Sequence, residues 1–162
     1  MIIDGALQFS GTAGVAGSTD SPTTGTQTSN NVIDLLNARD MGIGDDPAMK
    51  VLAEVLTTFT GGTNLQVTVQ GSVDNVTYVT FLTGPVVAEA NLTVGTYLAN
   101  FDLPRVPGTF PDRIGPTVAG LPRYLRLQYV STGTHGAGAL FAALVLDRED
   151  QISYPPGIII AN

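Results

Sequence analysis

The chain has 162 residues, seven basic against fourteen acidic side chains, a formal net charge of −7 and no cysteine. A single lysine, Lys50, and scattered arginines make no basic stripe for a phosphate backbone, which argues against nucleic acid and anionic membranes as partners. Without cysteine there are no disulfides, thiol nucleophiles or thiolate metal sites, and the length predicts one domain over 1–162, held by packing and hydrogen bonds.

The amino terminus, MIIDGALQFSG, lacks the basic and apolar regions of a secretory signal, and no apolar run approaches the roughly 20 residues that span a bilayer. A soluble chain made in the cytoplasm is the expectation. Residues 11–31, GTAGVAGSTDSPTTGTQTSNN, are a Gly/Ser/Thr-rich run without apolar periodicity, so they are predicted to form a flexible arm. NVIDLL, 31–36, is a short apolar piece. After it Asp40, Asp45 and Asp46 surround Gly42 and Gly44; three carboxylates there suit a hard cation, but EF-hand spacing puts Gly42 and Gly44 at ligand positions and Val51 at the bidentate glutamate. A turn capped by Asp45 or Asp46 beside Pro47 is the simpler reading, and no metal is assigned.

MKVLAEVLTTF, 49–59, tolerates a helical reading, yet its β-branched end and the following TGGT turn favour a strand. In LQVTVQGSVDNVTYVTF, 65–81, Leu65, Val67 and Val69 alternate with polar residues and the pattern resumes after a turn containing Asp74 and Asn75, which predicts a hairpin. TYLANFDLP, 96–104, is a further strand ended by Pro104. Prolines 104, 107, 111, 116 and 122 make 104–122 a stiff extended loop. RYLRLQYVS and GALFAALVLD are a closing strand pair, joined by the glycine-rich TGTHGAG, and the chain continues into the apolar tail SYPPGIIIAN. About eight short antiparallel strands at these intervals predict an all-β fold, a jelly-roll-like β-sandwich carrying the arm 11–31 and the tail 153–162.

Chemistry is sparse. His135, the only histidine, sits among glycines in an expected loop tip, no G-x-S-x-G elbow is present, and TGTHGAG lacks the lysine and hydroxyl of a phosphate cradle. The expectation is a protein that is not an enzyme and takes no cofactor. Sugar binding is weakly supported, because no tryptophan is available to stack on a ring. Only 13% of residues are charged while 43% are apolar, so part of the surface is expected to be covered by a partner.

The order and spacing of DLLNARDMGIGDD, the 65–81 hairpin and RYLRLQYVSTGTHGAGALFAALVLDRED resembles the capsid cement, or decoration, proteins of short-tailed bacteriophages. The resemblance implies a jelly-roll protein on the outer face of an icosahedral virion, bridging neighbouring major capsid subunits, with no catalytic or cofactor residues. A module of a phage tail or fibre that binds a receptor or carbohydrate is the alternative. Self-association is expected, with a homodimer favoured over a trimer. Composition nominates three contact segments: the arm (Thr19, Asp20, Thr26, Asn31), the proline loop (Arg105, Pro107, Phe110, Arg113) and the tail (Tyr154, Ile158, Ile159, Ile160). Arg123 and Arg126, like Arg105 and Arg113, are cations that suit an acidic partner, with solvated surface as the simpler reading.

Overall fold

The alternation through Leu65, Val67 and Val69 belongs to a strand much longer than the hairpin arm expected from it. A computed structural model describes residues 5–15, 17–36, 49–103 and 122–146. Its strands are β1 (Thr24–Thr28), β2 (Ile33–Asp34), β3 (Met49–Ser72), β4 (Val79–Ala88), β5 (Tyr97–Asp102) and β6 (Tyr124–Leu146), with short 3-10 turns at Gly5–Leu7 and Glu89–Asn91. The fold is all-β and every pairing is antiparallel, in the order β1-β6-β3-β4, with β2 on β6 and β5 on β3.

The two long strands organise everything else. β3 and β6 pair from Met49 opposite Leu146 to Ser72 opposite Tyr124, and their register slips repeatedly between Val55 and Asn64. Such irregularities bend a ladder and increase its twist. Beyond the bend the partners change: β5 joins the first half of β3, while β4 joins the second. Val51, Ala53 and Val55 from one half and Leu65, Val67 and Val69 from the other lie in one buried cluster, together with Leu125, Leu127, Tyr129, Leu140, Ala142 and Leu144 of β6. The two halves of the sheet therefore share one main core, consistent with an all-β sandwich.

Two expected turns are corrected by this ladder. TGGT and TGTHGAG do not interrupt the strands; the chain passes through them with Gly61 at φ 88° and Gly133 at φ 77°, left-handed values glycine adopts without steric penalty. Six strands among the described residues thus replace about eight, because each long strand contains two expected ones. The ambiguity over 49–59 has a related cause. Leu52 packs with Phe141, Ala143 and Val145 in a second cluster while Val51 and Ala53 face the main core, so this half is buried on both faces and shows no clean alternation.

The arm is the larger correction. The described residues of the arm 11–31 are not a free tether: just before it Phe9 N–H donates to the Ala142 carbonyl at 2.8 Å, and within it Asp20 exchanges two backbone bonds of 2.9 Å with Leu140 of β6. β1 then pairs with 128–134 of the same strand. Polar side chains, instead of apolar periodicity, fix this segment. Gln8 Nε2 donates to Ser10 O at 2.7 Å and Ser18 O at 2.9 Å, and Ser10 Oγ accepts from Ala142 N–H at 2.9 Å. Gln8, Ser10 and Asp20 are all buried, where satisfied hydrogen bonds are worth most.

No helix among the described residues is long and apolar enough to cross a membrane.

Candidate interaction surface

His135 is not at a loop tip. It lies within β6, 2% exposed, with its ring edge-on to Phe59 at 5.2 Å between centroids and its Nε2 3.3 Å from the Asn64 carbonyl. The opposite wall is the backbone of Gly62, where a Cβ would stand 2.1 Å from the imidazole. Among the described residues Nδ1 has no hydrogen-bond partner, and neither does the buried hydroxyl of Ser131. This is a histidine used as packing, closed to a substrate in the described structure.

Among the described residues no group of three His, Cys, Asp or Glu side chains is placed to hold a metal ion. Asp40, Asp45 and Asp46 lie outside the described residues, as do Arg105, Pro107, Phe110, Arg113, Tyr154, Ile158, Ile159 and Ile160. Of the four arm positions, Thr26 is exposed, Thr19 and Asn31 are half-buried and Asp20 is turned inward at 4% exposure. The Asp20 carboxylate accepts from Gly11 N–H at 2.7 Å, Tyr129 O–H at 2.8 Å and Asn30 N–H at 3.3 Å. Burial nonetheless pushes its pKa above the ordinary value, the three donors offsetting this only in part. Asp20 holds the segment in place. Beside it a polar recess of about 140 Å³, lined by Gln27, Thr28 and Tyr129 among others, is smaller than the roughly 300–1,000 Å³ of small-molecule sites.

The distinctive surface is the far end of the β3–β4 hairpin and the sheet face that leads to it. Alternation turns Gln66, Thr68, Gln70 and Ser72 of β3 and Tyr124, Arg126, Gln128 and Val130 of β6 away from the main core; Thr68, Gln70 and Ser72 are themselves buried, the β6 residues are half-buried, and Thr80, Thr83 and Val86 of β4, added by registry, are exposed. Registry also sets Asp34 of β2 beside Tyr124, so this face carries one carboxylate near its edge. Side-chain bonds run across three strands: Arg126 Nε donates to Gln70 Oε1 at 2.8 Å, and Gln70 Nε2 donates to Thr80 Oγ1 at 3.0 Å.

The hairpin tip is fixed from within. Asp74 Oδ1 accepts from Ser72 Oγ at 2.8 Å, Val76 N–H at 2.9 Å and Thr77 N–H at 2.8 Å, and these bonds, the backbone ones foremost, hold its pKa below the usual carboxylate value. Asn75 takes the left-handed conformation at φ 61°, which asparagine tolerates, and its Oδ1 accepts from the Tyr78 hydroxyl. Tyr78 lies under the Arg126 guanidinium, whose carbon is 3.5 Å from the ring centroid. Val76 is 80% exposed and Val73 is 41% exposed at this tip.

Arg123 sits at the same end of the sheet but is occupied. Its Nε and one terminal nitrogen each donate to Asp34 at 2.8 Å, a bidentate pair whose hydrogen bonding lowers the Asp34 pKa and raises that of Arg123. Two residues on, Leu36 is exposed with φ 65°, an uncommon conformation for a residue with a branched side chain; its N–H donates to Asp34 Oδ1 at 2.8 Å. The sequence marked Arg123 and Arg126 alike as outward cations. It held no signal that one is neutralised by a carboxylate 89 residues away while the other is stacked and displayed.

A comparison with protein families matches residues 18–145 to the family described as Bbp16, a phage-related family. No curated protein matches the chain.

Proposed function

The chain belongs to the Bbp16 family of phage-associated proteins, and from that membership we propose that it is a virion structural protein, a capsid cement that binds the outer face of an icosahedral phage head and bridges neighbouring major capsid subunits. The observation that carries this reading is the rigid, partly apolar hairpin tip, with Val76 and Val73 exposed beside the stacked Arg126, a surface suited to contact with another protein. The resemblance of its ordered motifs to phage cement proteins gives further support. In this reading the protein works without catalysis or a cofactor, is made in the host cytoplasm, and engages the major capsid protein and other copies of itself, preferably as a dimer, with no nucleic acid or membrane contact. Modest contacts repeated over a symmetric shell add through avidity.

Copy number tests it. Quantitative mass spectrometry of purified particles is expected to find the chain at a ratio to the major capsid protein near one to a few copies per several subunits. A ratio of about one per cent or less would assign it instead to a tail or fibre, with receptor or carbohydrate binding as its function.

A further inference from the structure

We propose that the hairpin tip built from Val73, Val76 and Tyr78, with Arg126 stacked upon it, is the anchor by which the chain docks on a carboxylate-bearing surface of the major capsid subunit. This rests on the capsid reading above. Charge complementarity selects the partner chemistry. The described residues include three cationic side chains, of which Lys50 lies 3.6 Å from Asp102 and Arg123 is clamped by Asp34. Arg126 is the one with no carboxylate partner among the described residues; its Nε is satisfied by the neutral amide of Gln70 and its plane rests on Tyr78. That arrangement fixes the guanidinium while leaving its terminal nitrogens to bond outward.

Three physical features favour an anchor over a solvated arginine. The guanidinium is half-buried and stacked, so little side-chain entropy remains to be lost on docking. The loop that carries Val76 is held by three bonds to Asp74 Oδ1, so an 80% exposed apolar side chain is presented on a rigid support. Arginine and tyrosine beside apolar groups are the residues that carry most binding energy at protein interfaces. An acidic side chain on the shell meeting Arg126, next to a recess that receives Val76, satisfies the guanidinium and the apolar group of the tip, while the exposed Asp74 carboxylate is occupied by the loop's own N–H and hydroxyl donors.

The test is co-sedimentation of the purified chain with phage shells stripped of it, at low and moderate salt. Arg126→Ala is expected to weaken attachment by about thirtyfold or more, the loss that follows truncation of one member of a hydrogen-bonded charge pair, and to flatten its salt dependence. Arg126→Lys should restore little, since an ammonium neither stacks nor forks like a guanidinium. Val76→Asp, at a position remote from the Gln70 network, should also abolish attachment by repelling the carboxylate, and Arg123→Ala should leave attachment within about twofold. Folding of each variant is checked by its thermal melt. Wild-type attachment by both Arg126→Ala and Val76→Asp overturns the anchor and leaves the capsid reading intact. Failure of the wild-type chain to sediment with shells overturns both.

Discussion

The Tyr129 hydroxyl donates to Asp20 Oδ2 across 2.8 Å, tying the middle of the sheet to a segment 109 residues earlier in the chain. Tyr129 is 1% exposed and Asp20 is 4% exposed, so both groups are largely withdrawn from bulk solvent. The phenol stays protonated, its pKa raised well above 10.0 first by burial and then by the neighbouring carboxylate. Tyr129→Phe should therefore destabilise the protein by about 1–3 kcal/mol, the penalty for leaving a buried acceptor short of a donor. Urea unfolding measures the loss, and native-state hydrogen exchange should place it at the Asp20 and Leu140 amides before the β3–β6 ladder.

Asp20 also gives a signed pH effect. Its folded pKa lies above the ordinary 3.8, so between those two values the folded protein holds more protons than the unfolded chain, and stability falls as pH rises through that window. Asp34 and Asp74, with lowered values, act in the opposite sense: their contributions are present above 3.8 and are lost as pH falls through their folded values. Asp20→Asn isolates the first effect. The melting temperature of the wild type relative to this variant should rise as pH is lowered from 7 towards 4; a difference that falls would contradict the burial of the charge.

Gly62 and His135 should be coupled. A methyl at Gly62 would stand 2.1 Å from the imidazole, so Gly62→Ala is expected to cost about 1–3 kcal/mol through overpacking. His135→Ala opens a void in the same place and should also destabilise. The double variant should be more stable than the sum of the two losses predicts, by about 1 kcal/mol or more in a double-mutant cycle measured by chemical denaturation. Strict additivity would mean that the two residues do not meet.

Leu65→Ala tests the shared core. Leu65 is 0% exposed in the cluster that joins both halves of the folded sheet, and the substitution should cost about 2–5 kcal/mol. Thermal unfolding should stay a single transition, since one core has no second unit to melt separately.

The sequence disclosed strands wherever one face met the core and the other met polar surroundings. Leu65, Val67 and Val69 were legible for that reason, and so was the end of β5 before Pro104. Where both faces are buried, as at Val51 and Leu52, periodicity vanishes and helix and strand look alike. The Gly/Ser/Thr-rich segment misled for a different reason. Gln8 closes the segment on itself, while Ser10 meets the Ala142 amide and Asp20 the Tyr129 hydroxyl, and composition carries no trace of a partner more than a hundred residues away. The surface was legible only as residue types: Arg123 and Arg126 looked equivalent until registry set one beside Asp34 and the other over Tyr78.

The β3–β6 ladder also sets an order of events during synthesis. On the β6 side Met49 pairs with Leu146 and Ser72 with Tyr124, so β3 waits for the last described strand to complete its ladder. The β3–β4 hairpin, whose partners are close in sequence, can form while the rest of the chain is still being made. Until residues through Leu146 have left the ribosome, one flank of β3 is an uncovered hydrogen-bonding edge. Completion of the fold thus waits on β6, and crowded nascent chains are most exposed to mispairing just before that strand is available.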